Sequence, residues 1–326
     1  MKFYLGVLLS ICLWQVGNAQ GALPETFFDG KAAVMVSVDP AAQPAMTWRQ
    51  LADSLHTSLV DAGADPVAYY ELETIALSED RQAAYAKAFE ARQIKNIIFI
   101  TKTKRTVAVH MSSFSGDGKI IPSTSLFGVQ GADLEEARST LESIGDNVRS
   151  KNLLVIDVPE FGEVIDASAS VSLKYEQGYP LNLEIFKTGV PIAGSSATES
   201  LISLFRFDLY GKSEADVLAE QASQKSALES ILSSNYPYEV VWLTEARTNQ
   251  DLISDRIQFV LDKVEGREAD LMESMGVEPS PGSENRVVVK YFIKLLVRDE
   301  IYIGASWDAD PDWRKSLQNF LSNLKK

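Results

Sequence analysis

Residues 31–72 read KAAVMVSVDPAAQPAMTWRQLADSLHTSLVDAGADPVAYYEL, and the order strand, helix, strand within them sets the fold class. Ala32 to Val38 is an apolar run stopped by Asp39-Pro40, which suits a strand buried on both faces. Thr47 then opens a helix, and Gln50 three residues on completes a capping box, in which hydroxyl and amide each satisfy a main-chain N–H of the first turn. Trp48, Leu51, Leu55 and Leu59 recur at helical spacing, so one stripe faces a core, and Gly63 ends the segment. Val67 to Leu72 is the second strand. The adjacent Tyr69 and Tyr70 must point to opposite faces of it, which leaves one of them to be exposed.

The same logic carries forward. Ser78 caps a helix with Ala84, Tyr85, Ala88 and Phe89 on one stripe. Ile97 to Lys102 and Thr106 to Met111 form a hairpin across Thr103-Lys104-Arg105, and Val107, Val109 and Met111 alternate with Thr106, Ala108 and His110. Ser115 to Ala132 reads as a loop. Asp133, with Glu136 three residues on, caps a last helix carrying Leu134, Ala137, Leu141 and Ile144.

Residues 201–326 repeat this order. Leu201 to Tyr210 is a strand, Ser213 starts a helix running to about Ser233, and Tyr238 to Leu243 is a strand. Thr248 caps a helix with Leu252, Ile253, Ile257, Val260, Leu261 and Val264 inward. Val287 to Val297 and Ile301 to Ala305 form a hairpin turning at Arg298-Asp299-Glu300. Asp310 caps the last helix, Pro311 occupies its first turn, and Trp313, Leu317, Phe320 and Leu324 face inward. Gly266 to Glu284 is an insertion.

The expectation is an α+β (or α/β) chain with an internal duplication. A first domain spans 20–148 and a second 201–326, each a small mixed sheet packed by helices in the order β-α-β-α-β-β-α. A connector, 149–200, holds possible strands at Leu153 to Val158, Val171 to Tyr175 and Leu181 to Phe186, and a linker at Gly194 to Ser200.

Residues 1–19 read as a signal peptide. Lys2 supplies the positive start, Phe3 to Val16 the apolar run, and Gly17-Asn18-Ala19 the small residues before cleavage. The run is shorter than the ~20 residues that cross a bilayer, so the expectation is an exported protein, periplasmic or extracellular, with no transmembrane segment after processing. Cys12 is the single cysteine, so a chain cleaved after Ala19 has no disulfide, thiol nucleophile or cysteine-ligated zinc. Cleavage removes Lys2 and no acid, taking the net charge from -14 to -15. That surface disfavours nucleic acid, whose binding requires lysine and arginine to replace counterions.

Chemistry-bearing motifs fail on their own requirements. Gly118-Lys119 resembles a phosphate loop, but Ser113 stands where a glycine is needed and Ile120 where Ser or Thr is needed. Gly128 and Gly131 precede a helix start already filled by Asp133, Glu135 and Glu136, which repel an anion. His56 and His110 belong to different elements and read as boundary residues. Asp308, Asp310 and Asp312 resemble the start of a calcium loop, but Trp313 and Asn319 stand where a glycine and a glutamate are required. No catalytic, cofactor-binding or metal-ligating residue is assigned.

The opening strand Ala32 to Val38, the helix ending near a glycine, the strand reached through Lys95-Asn96, and the turn Gly116-Asp117-Gly118-Lys119-Ile120-Ile121 resemble the periplasmic α/β module of the TolB amino terminus, the LpoB family and CsgG-like secretion proteins. The resemblance implies action by protein contacts in the cell envelope, with another envelope protein as partner. The leading expectation is therefore an exported, non-enzymatic binding or assembly protein. The alternative is a hydrolase or nucleotide-binding enzyme whose inter-domain cleft would gather Lys119, His110 or the Asp308–Asp312 string. A small-ligand carrier using the same cleft is a third reading.

Overall fold

The computed structural model describes residues 22–122, 126–146, 148–162, 174–192, 214–244 and 247–324. The expected signal peptide with Cys12, the linker at 194–200 and the strand at 201–210 lie outside the described residues. Among the described residues the chain is an α+β protein with eight helices and two mixed sheets, of five and six strands.

The first sheet is built from β1 (Lys31–Val38), β2 (Asp65–Glu71), β3 (Ile94–Lys102), β4 (Val107–Ser113) and β5 (Phe127–Gly131), in the order β2-β1-β3-β4-β5. β1 runs parallel to β2 and β3, while β4 is antiparallel to β3 and to β5. Four helices accompany it: α1 (Trp48–Asp61), α2 (Leu72–Ile75), α3 (Glu79–Ala91) and α4 (Leu134–Gly145). Ala32, Val34 and Val36 of β1 pack under α1 and α4, with Leu51, Leu55, Leu59 and Leu141. Ala33 and Met35 face Ile75, Tyr85 and Phe89 of α2 and α3. Covering both faces explains why β1 has no polar alternation.

The caps form as the sequence dictates. Gln50 N–H donates to Thr47 Oγ1 at 3.2 Å while Thr47 N–H donates to Gln50 Oε1 at 2.8 Å. Ser78 Oγ accepts from Arg81 N–H, and Asp133 Oδ1 from Glu136 N–H. Tyr69 and Tyr70 do point into opposite layers, but both are buried, because each face carries helices. The expected loop 115–132 contains β5, which closes the sheet beside β4.

The second sheet comprises β6 (Lys174–Glu176), β7 (Lys187–Pro191), β8 (Val240–Leu243), β9 (Ile257–Arg267), β10 (Val287–Leu295) and β11 (Glu300–Tyr302), in the order β6-β11-β10-β9-β7-β8. Its helices are α5 (Glu214–Asn235), α6 (Asn249–Ser254), α7 (Glu268–Ser274) and α8 (Trp313–Leu324). β7 is parallel to β8 and β9, and β9, β10 and β11 are successively antiparallel. Taken from the β8 edge, the order and directions reproduce those of the first sheet, with β7 in the place of β1, α7 inserted, and β6 added beside β11.

Several expectations are corrected. β7 stands in the place of β1, and both β6 and β7 fall within the expected connector, so part of it belongs to the second sheet; Leu181 to Phe186 form turns leading into β7. Among the described residues Leu153 to Val158 pair with no sheet. The helix capped by Thr248 stops at Ser254, Arg256 adopts φ 64°, and Ile257–Arg267 is a strand. Its apolar spacing mimics a helix because β9 is central and buried on both faces. The last helix starts at Trp313, so Asp312 rather than Asp310 stands at its cap, accepting from Arg314 N–H at 2.9 Å.

Candidate functional site

Where β1 and β2 end, the chain must turn over the sheet, and that rim faces the second domain. The loop Asp39–Thr47, the start of α1, the last residue of β2 and α2 form one wall. Arg267 at the end of β9, with Asn285 and Val287 at the start of β10, forms the other. The cavity between them is about 670 Å³. It lies outside the carboxyl ends of parallel strands, where the connections from β1 and β2 leave toward opposite faces; open α/β sheets place ligand sites at such points.

The loop is pinned from below. Asp39 N–H donates to Lys102 O at 2.8 Å and Ala42 N–H to Asp39 O at 2.8 Å. The buried Lys102 Nζ, at the end of β3, donates to Gln43 O at 3.1 Å. Asp39 Oδ1 accepts from Ala41 N–H at 2.7 Å.

A fork joins the walls. Arg267 Nη1 and Nη2 donate to Glu71 Oε1 and Oε2 at 2.9 and 2.8 Å, and Arg267 Nε donates to Asp270 Oδ2 at 2.7 Å. Burial works against the guanidinium charge, but the hydrogen bonds and charges of Glu71 and Asp270 outweigh it and hold Arg267 above its ordinary range. Beneath, Leu77 packs into the apolar cluster of Val264, Leu271 and Ile303. Glu73 is buried and accepts from Ser37 Oγ at 2.5 Å. Arg49 lies over Trp48 and Phe161, 5.2 and 4.9 Å from the ring centroids.

The lining sets Asp39, Glu71 and Glu73 against Arg49 and Arg267, with Val38, Met46, Trp48 and Val287 as apolar wall. The charges lean acidic. Glu71 and Arg267 neutralise each other across the fork and Glu73 is buried against Ser37, which leaves Asp39 at the rim to meet a cationic group presented beside apolar surface. The lining offers one hydroxyl, Thr47, which serves the helix cap.

Lys119, His56, His110, Gly128, Gly131 and the Asp308–Asp312 string do not line this cavity. Lys119 is exposed on a turn whose Asp117 Oδ1 accepts its main-chain N–H at 2.9 Å; Gly116 there has φ 78°. His110 lies on β4 against Gly128, where an added Cβ would sit 2.8 Å from its ring. Gly131 packs against the first turn of α4, an added Cβ meeting Ala137 N at 2.5 Å. Both glycines permit close packing.

His56 is buried, not at a boundary. Its Nδ1 is 2.8 Å from Tyr69 Oη and its Nε2 is 3.0 Å from Ile156 O. A carbonyl only accepts, so Nε2 carries a proton and donates to Ile156 O. Burial first, then the charge of Asp53, pushes Tyr69 upward and keeps that phenol protonated.

The aspartate string is dispersed. Asp308 is buried against Lys290 at 2.7 Å, Asp310 exchanges main-chain hydrogen bonds with Val289, and Asp312 caps α8. Among the described residues no group of three or more His, Cys, Asp or Glu is placed to hold a metal ion, and no helix is long and apolar enough to cross a membrane.

Sequence reading passed over Arg49, Glu71, Glu73 and Arg267. The available signal was Glu71 and Glu73 bracketing Leu72 directly after a buried strand, where charge is out of place unless paired. No protein-family model matches the chain, and neither a curated protein nor a solved structure matches it.

Proposed function

We propose that the chain is an exported, non-enzymatic binding or assembly protein of the cell envelope, and that its inter-domain cleft receives a basic segment of a partner protein. The observation that carries this reading is the cleft, framed by both sheets and joined by the Glu71–Arg267 fork, with acidic groups beside Trp48 and Met46. Partner segments gain affinity from such a combination, an apolar anchor flanked by complementary charge. Residues 1–19 support export. The resemblance to the TolB-type envelope module supports action by contact.

The test is a cross-linked pull-down of the tagged protein from its native envelope fraction, comparing the unaltered chain with Asp39→Lys and Lys119→Glu variants. The reading expects one stoichiometric partner, lost with Asp39→Lys and retained with Lys119→Glu. A partner captured equally by all three, or none above an unrelated acidic exported protein, contradicts it.

A further inference from the structure

Residues 148–162 cross the first domain as a strap tied at both ends. At one end Lys151 N–H donates to Phe28 O at 2.9 Å, Ser150 Oγ to Gly63 O at 2.8 Å, and Asn152 Nδ2 to Gly63 O at 3.1 Å. At the other, Tyr69 N–H donates to Glu160 O at 2.8 Å and Gly162 N–H to Tyr69 O at 2.9 Å. Phe161 is anchored edge-on to Trp48, 5.4 Å between centroids.

Between these ties the strap exposes apolar side chains. Leu153, Leu154, Ile156 and Val158 are 79, 96, 57 and 66% exposed. Neighbouring large apolar residues left this open mark a contact surface. Among the described residues the N–H groups of residues 153–158 donate no main-chain hydrogen bond, while Ile156 O accepts from His56 Nε2 and the chain bends at Leu154, Asp157 and Val158.

Charge decides what covers it. Arg149 and Lys151 precede the apolar run, while Asp157 lies just before its last residue and Glu160 beyond it. A segment basic at one end and acidic at the other complements itself when reversed. We infer that two copies of this chain meet through residues 149–160 about a two-fold axis near Leu154, with the two straps running in opposite directions. Lys151 of each copy then faces Asp157 of the other, and Arg149 approaches Glu160. Such an isologous contact closes as a dimer. The four charges sum to zero, so the net -14 of the whole chain does not repel at this patch. Lys151 also lies 3.1 Å from Asp29 across exposed surface, a contact weak enough to yield to a second partner. The surface lies outside the cleft lining, so the proposed function stands or falls separately.

The test is analytical sedimentation of the full chain across a concentration series, with disulfide trapping in a Cys12→Ser background. Leu154→Asp, at a nearly fully exposed position, should leave the circular dichroism unchanged and weaken the dimer by about tenfold or more. Lys151→Asp should weaken it, and adding Asp157→Lys should restore it. Leu154→Cys should form a disulfide-linked dimer, because a residue beside the two-fold axis comes within disulfide reach of its own copy. Val158→Cys should trap far less, since it lies away from the axis and its copy is carried to the opposite end of the contact. A chain that sediments as a monomer at every concentration overturns the inference. So does a dimer indifferent to Leu154→Asp, or trapping at Val158 but not Leu154. A monomer that floats with phosphatidylcholine vesicles and loses that binding with Leu154→Asp would give the strap to lipid, and overturns it equally.

Discussion

The two sheets share a strand order but not an interior. The core of the first is apolar on both faces of β1, with residues 32–36 wholly buried among leucines, tyrosines and phenylalanines. The second buries an ion pair in the same kind of layer. Lys290 is fully enclosed, and its three N–H groups go to Tyr291 O at 2.9 Å, Ile303 O at 2.6 Å and Asp308 Oδ1 at 2.7 Å. Phe320 and Trp307 lie 4.9 and 5.7 Å from its charge. Burial pulls Lys290 down against the upward pull of Asp308, and pushes Asp308 up against the opposing pull of Lys290. One topology thus accepts either solution, provided that the charged one leaves no lysine donor unmatched.

The sharpest way to break the comparison is Lys290→Met. It strands the Asp308 carboxylate in a dry site and should cost about 3–5 kcal/mol in chemical denaturation. The double change with Asp308→Leu should recover most of that loss; equal losses would mean that the pair is not what the second core depends on. In the apolar counterpart, Leu51→Ala opens a cavity and should cost about 2–5 kcal/mol, with no comparable rescue by a second substitution.

Alkaline pH weakens both domains, because burial pushes Tyr69 of the first and Tyr236 of the second upward alike. Burial, opposed by its hydrogen bond with Thr188, pushes Tyr236 up to about 12. A group raised in the folded state contributes stability that is fully present below its unfolded value, near 10, and is lost as pH rises through the folded value. The second domain should therefore lose on the order of 2–3 kcal/mol across that window from this group alone. Tyr236→Phe should flatten the pH dependence of its melting there. The smallest effect is expected at the junction: Arg267→Ala removes a half-exposed fork and should cost about 1–2 kcal/mol, seen as earlier separation of the two unfolding transitions.

Legibility followed burial chemistry. In the first domain, Thr47, Ser78 and Asp133 announced their helices because a capping hydroxyl or carboxylate acts within three residues of chain. β5 was hidden because Phe127–Gly131 carries two glycines, chosen for contact with His110 and α4 rather than for strand propensity. β9 was misread because a central strand buried on both faces loses its two-residue period, leaving Ile257, Leu261 and Val264 at spacings a helix also allows. β7, Lys187–Pro191, is five residues with a glycine and a proline, too short to signal itself. The cleft was illegible for a different reason. Glu71 and Arg267 are 196 residues apart, and only the folded arrangement of both sheets makes them neighbours.

Site-specific photo-cross-linking in cells would address the cleft directly, with the reactive residue placed at Ala45, at Asn285 or at Lys119. Ala45 and Asn285 belong to opposite walls of the cavity, and Lys119 lies outside it. A shared binding site framed by both domains predicts the same cross-linked partner from Ala45 and Asn285, and none from Lys119. A partner trapped from Lys119 alone, or from neither wall, would contradict it.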